Sequence, residues 1–151
     1  MGVTQKPEIF TNMLRRNRSK GRSLALQTLF EIDLTKHHMD DVLGHLMVES
    51  DLDENHLKFA REIVFGVLDK KKQIDSLIAE CATEREVGDL SSLDKSVLRM
   101  GILELLDFSD TPPKVVVNEA VELAKIYGSD NSYKFVNGVL GSVLQKLKIK
   151  E

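Results

Sequence analysis

The stretch "SYKFVNGVLGSVLQKL", Ser132 to Leu147, carries two incompatible signals. Its "FVNGVL" sets Asn-Gly between apolar pairs, the pattern of a two-residue hairpin turn. Against this, Phe135, Val136, Val139, Leu140, Val143, Leu144 and Leu147 recur at i, i+1, i+4, i+5, and a hairpin would scatter them onto both faces of a ribbon. The periodicity predicts a helix. Gly138 then becomes a helix-interior glycine, about 1 kcal/mol worse than alanine, and close packing against another backbone is the expected reason for it.

The same logic extends backwards along the chain. "TPP" supplies an N-cap in Thr111 and a proline at the first helical position, ahead of Val116, Val117, Ala120, Val121, Ala124 and Tyr127, with Gly128 as the stop. The run "VVV" is strand-like alone, but "NEAVELAK" outweighs it. "SSLD" reads as a capping box, Ser91 accepting from the amide three residues on while Asp94 reaches back, before Val97, Leu98, Ile102, Leu105 and Leu106. "EREVGDLSS", Glu84 to Ser92, is polar and aperiodic and marks a link between two halves. In the first half, Ala25, Leu26, Leu29 and Phe30 define a helix from Ser19 to about Lys36, and Val42, Leu43, Leu46 and Met47 a shorter one from Met39 to Ser50. Asp51 or Asp53 caps a third, carrying Leu57 to Leu68, and Ile74, Leu77 and Ile78 mark a fourth. The chain is predicted all-α, seven helices with no sheet: a basic arm at residues 1–17, partly disordered, a helical bundle at 18–86 and a second at 87–151.

Composition narrows the function. With 151 residues, 42% hydrophobic and 30% charged, three prolines and no tryptophan, the chain is long enough to bury a core without disulfide or metal. The single cysteine, Cys81, excludes an intrachain disulfide framework, suits a reducing compartment and reads as an inert thiol. No run approaches a membrane span and the start lacks the apolar core of a secretory signal, so a cytoplasmic location with no membrane partner is expected. His37, His38, His45 and His56 include no i, i+4 pair to hold a metal, and no phosphate loop, nucleophile elbow or Cys/His pair is present. The acidic run from Asp40 to Glu54 reads as solvated surface and helix caps. A non-enzyme without metal or cofactor is expected.

Charge is the informative quantity. The chain carries −3, yet residues 1–22 hold +5, leaving −8 on the rest. "LRRNRSKGRSLALQTLF", Leu14 to Phe30, places Arg15, Arg16, Arg18, Lys20 and Arg22 ahead of an apolar run, where the expected helix N-terminus is a positive pole that disfavours them. The arm asks for an anion from elsewhere, which a polyanionic partner supplies. A second cluster, "KIYGSDNSYKF", interleaves Tyr127, Tyr133 and Phe135 with Lys125 and Lys134, a pattern that stacks splayed bases while lysines hold phosphates; core packing of Tyr127 and Phe135 is the alternative.

The blocks "SKGRSLALQTLFEIDL", "FAREIVFGVLDKKKQID", "LDKSVLRMGILEL" and "PPKVVVNEAVELAKIYGSDNSYKFVNGVL" together resemble the NusB family of transcription antitermination factors, in order and over about Arg18 to Leu140. The resemblance implies two three-helix bundles plus one additional helix. It also implies binding of boxA-like single-stranded RNA from ribosomal RNA leaders together with the ribosomal protein NusE, within the RNA polymerase antitermination complex. The family's arginine-rich motif matches Arg18, Lys20, Arg22 and then Gln27, with Arg15 and Arg16 upstream as additional RNA contacts. Its second RNA-contacting region matches Tyr127, Asn131, Lys134 and Phe135, and its NusE-facing surface Phe30 and Asp94. Ser19 and Gly21 interrupt the arginine motif, Asn131 stands where some relatives have aspartate, and Cys81 where an aromatic is common. Two other readings share these residues: a protein-interaction scaffold in which the same helices mediate homodimerisation and cover the basic arm in the free state, and a stand-alone relative of the helical domain of ribosomal RNA methyltransferases.

Overall fold

The structure, a computed structural model, describes residues 8–38, 40–42, 44 and 52–149, with side chains from Arg18 onward. The described helices are α1 (Glu8–Thr35), α2 (Glu54–Asp69), α3 (Lys71–Cys81), α4 (Ser92–Asp107), α5 (Pro113–Tyr127) and α6 (Ser132–Lys146), with one 3-10 turn at Val87–Asp89. Among the described residues there is no strand and no helix long and apolar enough to cross a membrane. The second helix expected at Met39 to Ser50 lies mostly outside the described residues, of which 40–42 and 44 are helical.

Helix α4 packs against each of the other five. Ser91 starts it as the sequence predicts, its Oγ accepting from the Asp94 amide at 3.1 Å. The reciprocal half of the capping box is missing at one atom: Asp94 is buried and its Oδ1 has no hydrogen-bond partner. From Ser96 to Glu104 every residue of α4 is buried, charged ones included, so it runs through the core rather than over it. Helices α4, α5 and α6 pack on one another as a bundle, while α1 and α2 pair and both reach α4. One apolar cluster runs from Leu24 to Leu144 across both halves.

Several boundaries have local causes. Asp53 caps α2, its Oδ1 accepting from the His56 amide at 3.1 Å. Lys70 alone separates α2 from α3, and its ammonium pairs with Asp107 at 2.6 Å, tying that corner to the end of α4. The expected link is non-helical from Glu84 to Ser91 apart from its 3-10 turn, and Ser92, expected at its end, is the first residue of α4. Thr111 is not the N-cap of α5: Pro112 occupies that position, Pro113 is the first helical residue, and the buried Thr111 hydroxyl accepts from Arg18 instead. Gly128 does end α5, without a left-handed backbone; a Cβ there would lie 2.6 Å from both the Ala124 carbonyl oxygen and the Ser132 Cβ.

The Ser132 to Lys146 segment is helical, as its periodicity requires, with Leu147 as its C-cap and Val136, Val139, Leu140, Val143 and Leu144 buried. The expected reason for Gly138 is wrong. It is exposed, and a Cβ built on it meets nothing within 4 Å. Nothing in the packing demands glycine, so Gly138→Ala should stabilise the protein by about 0.5–1 kcal/mol, raising Tm by roughly 1–4 °C in a thermal melt; an unchanged or lower Tm would show that the position is constrained.

Candidate nucleic-acid interface

Helix α1 begins at Glu8, three turns before the expected start near Ser19, so the cations lie inside the helix rather than at its positive pole. The dipole conflict inferred from sequence therefore does not arise, because that field fades within the first turn. The helical backbone passes through Arg15 and Arg16, whose side chains lie outside the described ones. What decides the role of each remaining cation is the face of α1 that carries it.

Arg18 and Arg22, four residues apart, share one face and place their guanidinium groups over the Phe59 ring of α2 at 5.1 and 5.3 Å from its centroid. Arg22 is only 2% exposed. Its Nε and Nη2 donate to the two carboxylate oxygens of Glu104 at 2.8 and 2.7 Å, and Nη1 donates to Glu119 at 3.3 Å. Burial alone would weaken the guanidinium's hold on its proton, but Glu104 and Glu119 outweigh it and hold the pKa above its ordinary value. This corrects the sequence assignment. Arg22 sits in the core with its donors committed to carboxylates, so it is not placed to meet RNA.

The interruptions of the arginine motif have packing roles. Ser19 donates its hydroxyl to Glu119, beside Arg22. A Cβ on Gly21 would lie 3.0 Å from the Phe59 ring and 3.2 Å from the His56 carbonyl oxygen, so glycine lets α1 approach α2. Arg18 is at the margin: Nη1 donates to Thr111 Oγ1 at 3.1 Å and Nη2 to Asp110 at 3.0 Å, with its side chain 38% exposed. The Arg18 hydrogen bond holds the Asp110 carboxyl below its usual range. Lys20 and Gln27 are exposed and seven residues apart, hence on one outward face about 10.5 Å apart along the axis.

The second cluster gathers at the turn between α5 and α6. Tyr127 is 47% exposed. Tyr133 is half-buried between Lys125 and Lys134, whose ammonium groups lie 5.4 and 5.9 Å from its ring centroid. Asn131 is exposed at the N-cap of α6 but makes no side-chain capping bond; Ser132 instead accepts from the Ser129 amide at 3.1 Å. Asn131 is thus left to face solvent. Phe135 is half-buried against the core, and Arg85, which sequence reasoning passed over as part of a linker, stacks on it with Cζ 4.6 Å from the ring centroid.

The residues assigned to a protein partner differ from each other. Phe30 is half-buried on α1, whereas Asp94 is buried in the first turn of α4 with its unsatisfied oxygen. Cys81 is half-buried, and burial holds its thiol pKa above the ordinary value, consistent with an inert thiol.

Two basic-aromatic regions thus sit on an all-helical scaffold, at either end of α5: Arg18 contacts Thr111 just before it, and Tyr127 closes it. Known proteins share this scaffold. Over 85% of this chain and 91% of its own, a solved structure of T. maritima NusB superposes with a TM-score of 0.81 at 32% identity. The factors NusB and NusE in complex with dsRNA provide a second match, with a TM-score of 0.79 and 25% identity over 87% of this chain and 98% of that one. A family model described as the NusB family matches residues 19–145, and the chain belongs to that family. The transcription antitermination protein NusB of Roseiflexus castenholzii is 44% identical over 133 residues, covering 87% of this chain and 94% of that protein. Its counterpart from Chloroflexus aggregans is 43% identical over 135 residues, covering 88% and 90%.

Removing Arg22 strands Glu104 in the core without a counter-charge. Arg22→Ala should therefore cost about 3–5 kcal/mol in urea unfolding, whereas Lys20→Ala should stay within about 0.5 kcal/mol of wild type. Equal, small effects would place Arg22 at the surface after all.

Proposed function

We propose that this chain is a transcription antitermination factor that binds boxA-like single-stranded RNA of ribosomal RNA leaders together with the ribosomal protein NusE. It does so as part of the RNA polymerase antitermination complex in the cytoplasm, and it catalyses no reaction. The observation that carries the proposal is the exposure of Lys20 and Gln27 on the outward face of α1, with Arg18 half-exposed at the margin of the opposite, packed face, on a scaffold shared with NusB structures. Phosphates held there supply affinity without sequence information, while Tyr127, Asn131 and Lys134 offer a ring, an amide and a cation to bases splayed from a single strand. Single-stranded RNA is favoured because exposed rings serve only unstacked bases. Phe30 and Asp94 mark the NusE-facing side, by the family correspondence.

Salt dependence tests this. Each phosphate neutralised on a single strand contributes about −0.7 to the slope of log affinity against log salt. The Arg18→Ala/Lys20→Ala double variant should reduce the magnitude of that slope by roughly 1.4 on a boxA-like RNA while keeping its helical circular dichroism. Slopes equal to wild type would make the arm a bystander. Adding NusE should tighten wild-type binding, and equal affinity with and without it would remove NusE from the account.

A further inference from the structure

The Phe135 ring, which the family correspondence assigns to RNA contact, does not offer an open face at its outer side. Its inner side packs on the core, and the Arg85 guanidinium lies over it, 4.6 Å from the centroid. Arg85 is exposed in the loop between α3 and α4, and among the described residues no carboxylate pairs with it. A guanidinium is planar, weakly hydrated and able to stack on both of its faces. A base arriving at this end of the molecule meets Arg85 before it meets Phe135.

We propose that Arg85 is an RNA-stacking residue, forming with Phe135 beneath it a two-layer platform whose outer face takes a base. The ring fixes the guanidinium, so less side-chain freedom is lost on binding than for a solvated arginine. Around the platform, Tyr133 lies between Lys125 and Lys134, and Tyr127 is open to solvent, which gives neighbouring nucleotides a second ring and two cations for phosphates. The assignment rests on the RNA-binding function proposed above and adds a residue from a different loop, fifty positions from Phe135 in sequence.

Lysine and alanine variants separate a stack from a charge. Fluorescence anisotropy of a labelled boxA-like single-stranded RNA would be measured for wild type, Arg85→Lys and Arg85→Ala across a salt series, with thermal melts to confirm folding. Both variants should bind about tenfold or more weakly, within the roughly 5- to 150-fold range of one base stacked on a side chain, and Arg85→Lys should keep the wild-type salt slope. Arg85→Lys binding as tightly as wild type would overturn the stack in favour of a point charge on a phosphate. Arg85→Ala binding as tightly or more tightly would overturn it in favour of a bystander or a lid over Phe135. No binding by wild type would defeat the RNA function itself, an outcome distinct from either.

Discussion

The buried pair between Arg22 and Glu104 is the constraint on which the placement of the functional surface depends. Two parallel hydrogen bonds of 2.8 and 2.7 Å in a site 2% exposed at each residue leave α1 and α4 only one register, since either charge without the other would be stranded in the core. Glu119 adds α5 to the same point and also accepts from Ser19. Because successive helical residues turn by about 100°, fixing Arg22 inward sends Lys20 roughly 200° around α1, to the outside. From Glu119, α5 runs about 12 Å further to Tyr127, where the aromatic turn begins. Both basic regions take their positions from one ion pair.

A second network fixes the other end of α4. Arg99 donates to both oxygens of Asp75 on α3 at 2.8 and 2.9 Å, and lies 3.8 Å from Asp33 on α1. Asp33 also accepts from Ser92 and lies 3.5 Å from Lys95. Burial would raise the Asp33 carboxyl, but Ser92, Lys95 and Arg99 outweigh it and hold it below its usual range. A depressed carboxyl contributes stability that is full above the ordinary aspartate range and is lost as pH falls through the lowered value. The network is therefore intact at neutral pH. A helix buried on nearly every side needs such partners for its charges, and α4 finds them on α1 and α3 at one end and on α1 at the other.

Most of the fold was legible because helical periodicity survives even where local signals oppose it, as at Asn137-Gly138. The misread points share a cause. The start of α1 is written in Ile9, Phe10, Met13 and Leu14, which repeat at i, i+1, i+4, i+5, but the four cations from Arg15 to Lys20 interrupt the apolar stripe before it resumes at Leu24. Arg22 stands at i, with Ala25, Leu26 and Leu29 at i+3, i+4 and i+7, so its inward face could have been read from the same stripe. What it pairs with could not. Glu104 and Glu119 lie more than eighty residues away, as Asp110 and Thr111 do from Arg18, and Arg85 meets Phe135 only once the two halves are folded together. Family correspondence identified the arm as a unit, whereas geometry divides it into one core arginine, one half-exposed arginine and an outward lysine.

Chemical-shift mapping of the labelled protein with a boxA-like RNA tests the central claim most directly, since it reads backbone amides and arginine Nε–H groups together. The account predicts perturbed amides around Arg18 to Lys20 and from Lys125 to Phe135 in one titration, with the Arg22 Nε–H signal retained and unshifted because it stays bonded to Glu104. An Arg22 signal that moves with the RNA, or perturbations confined to one end of α5, would contradict it.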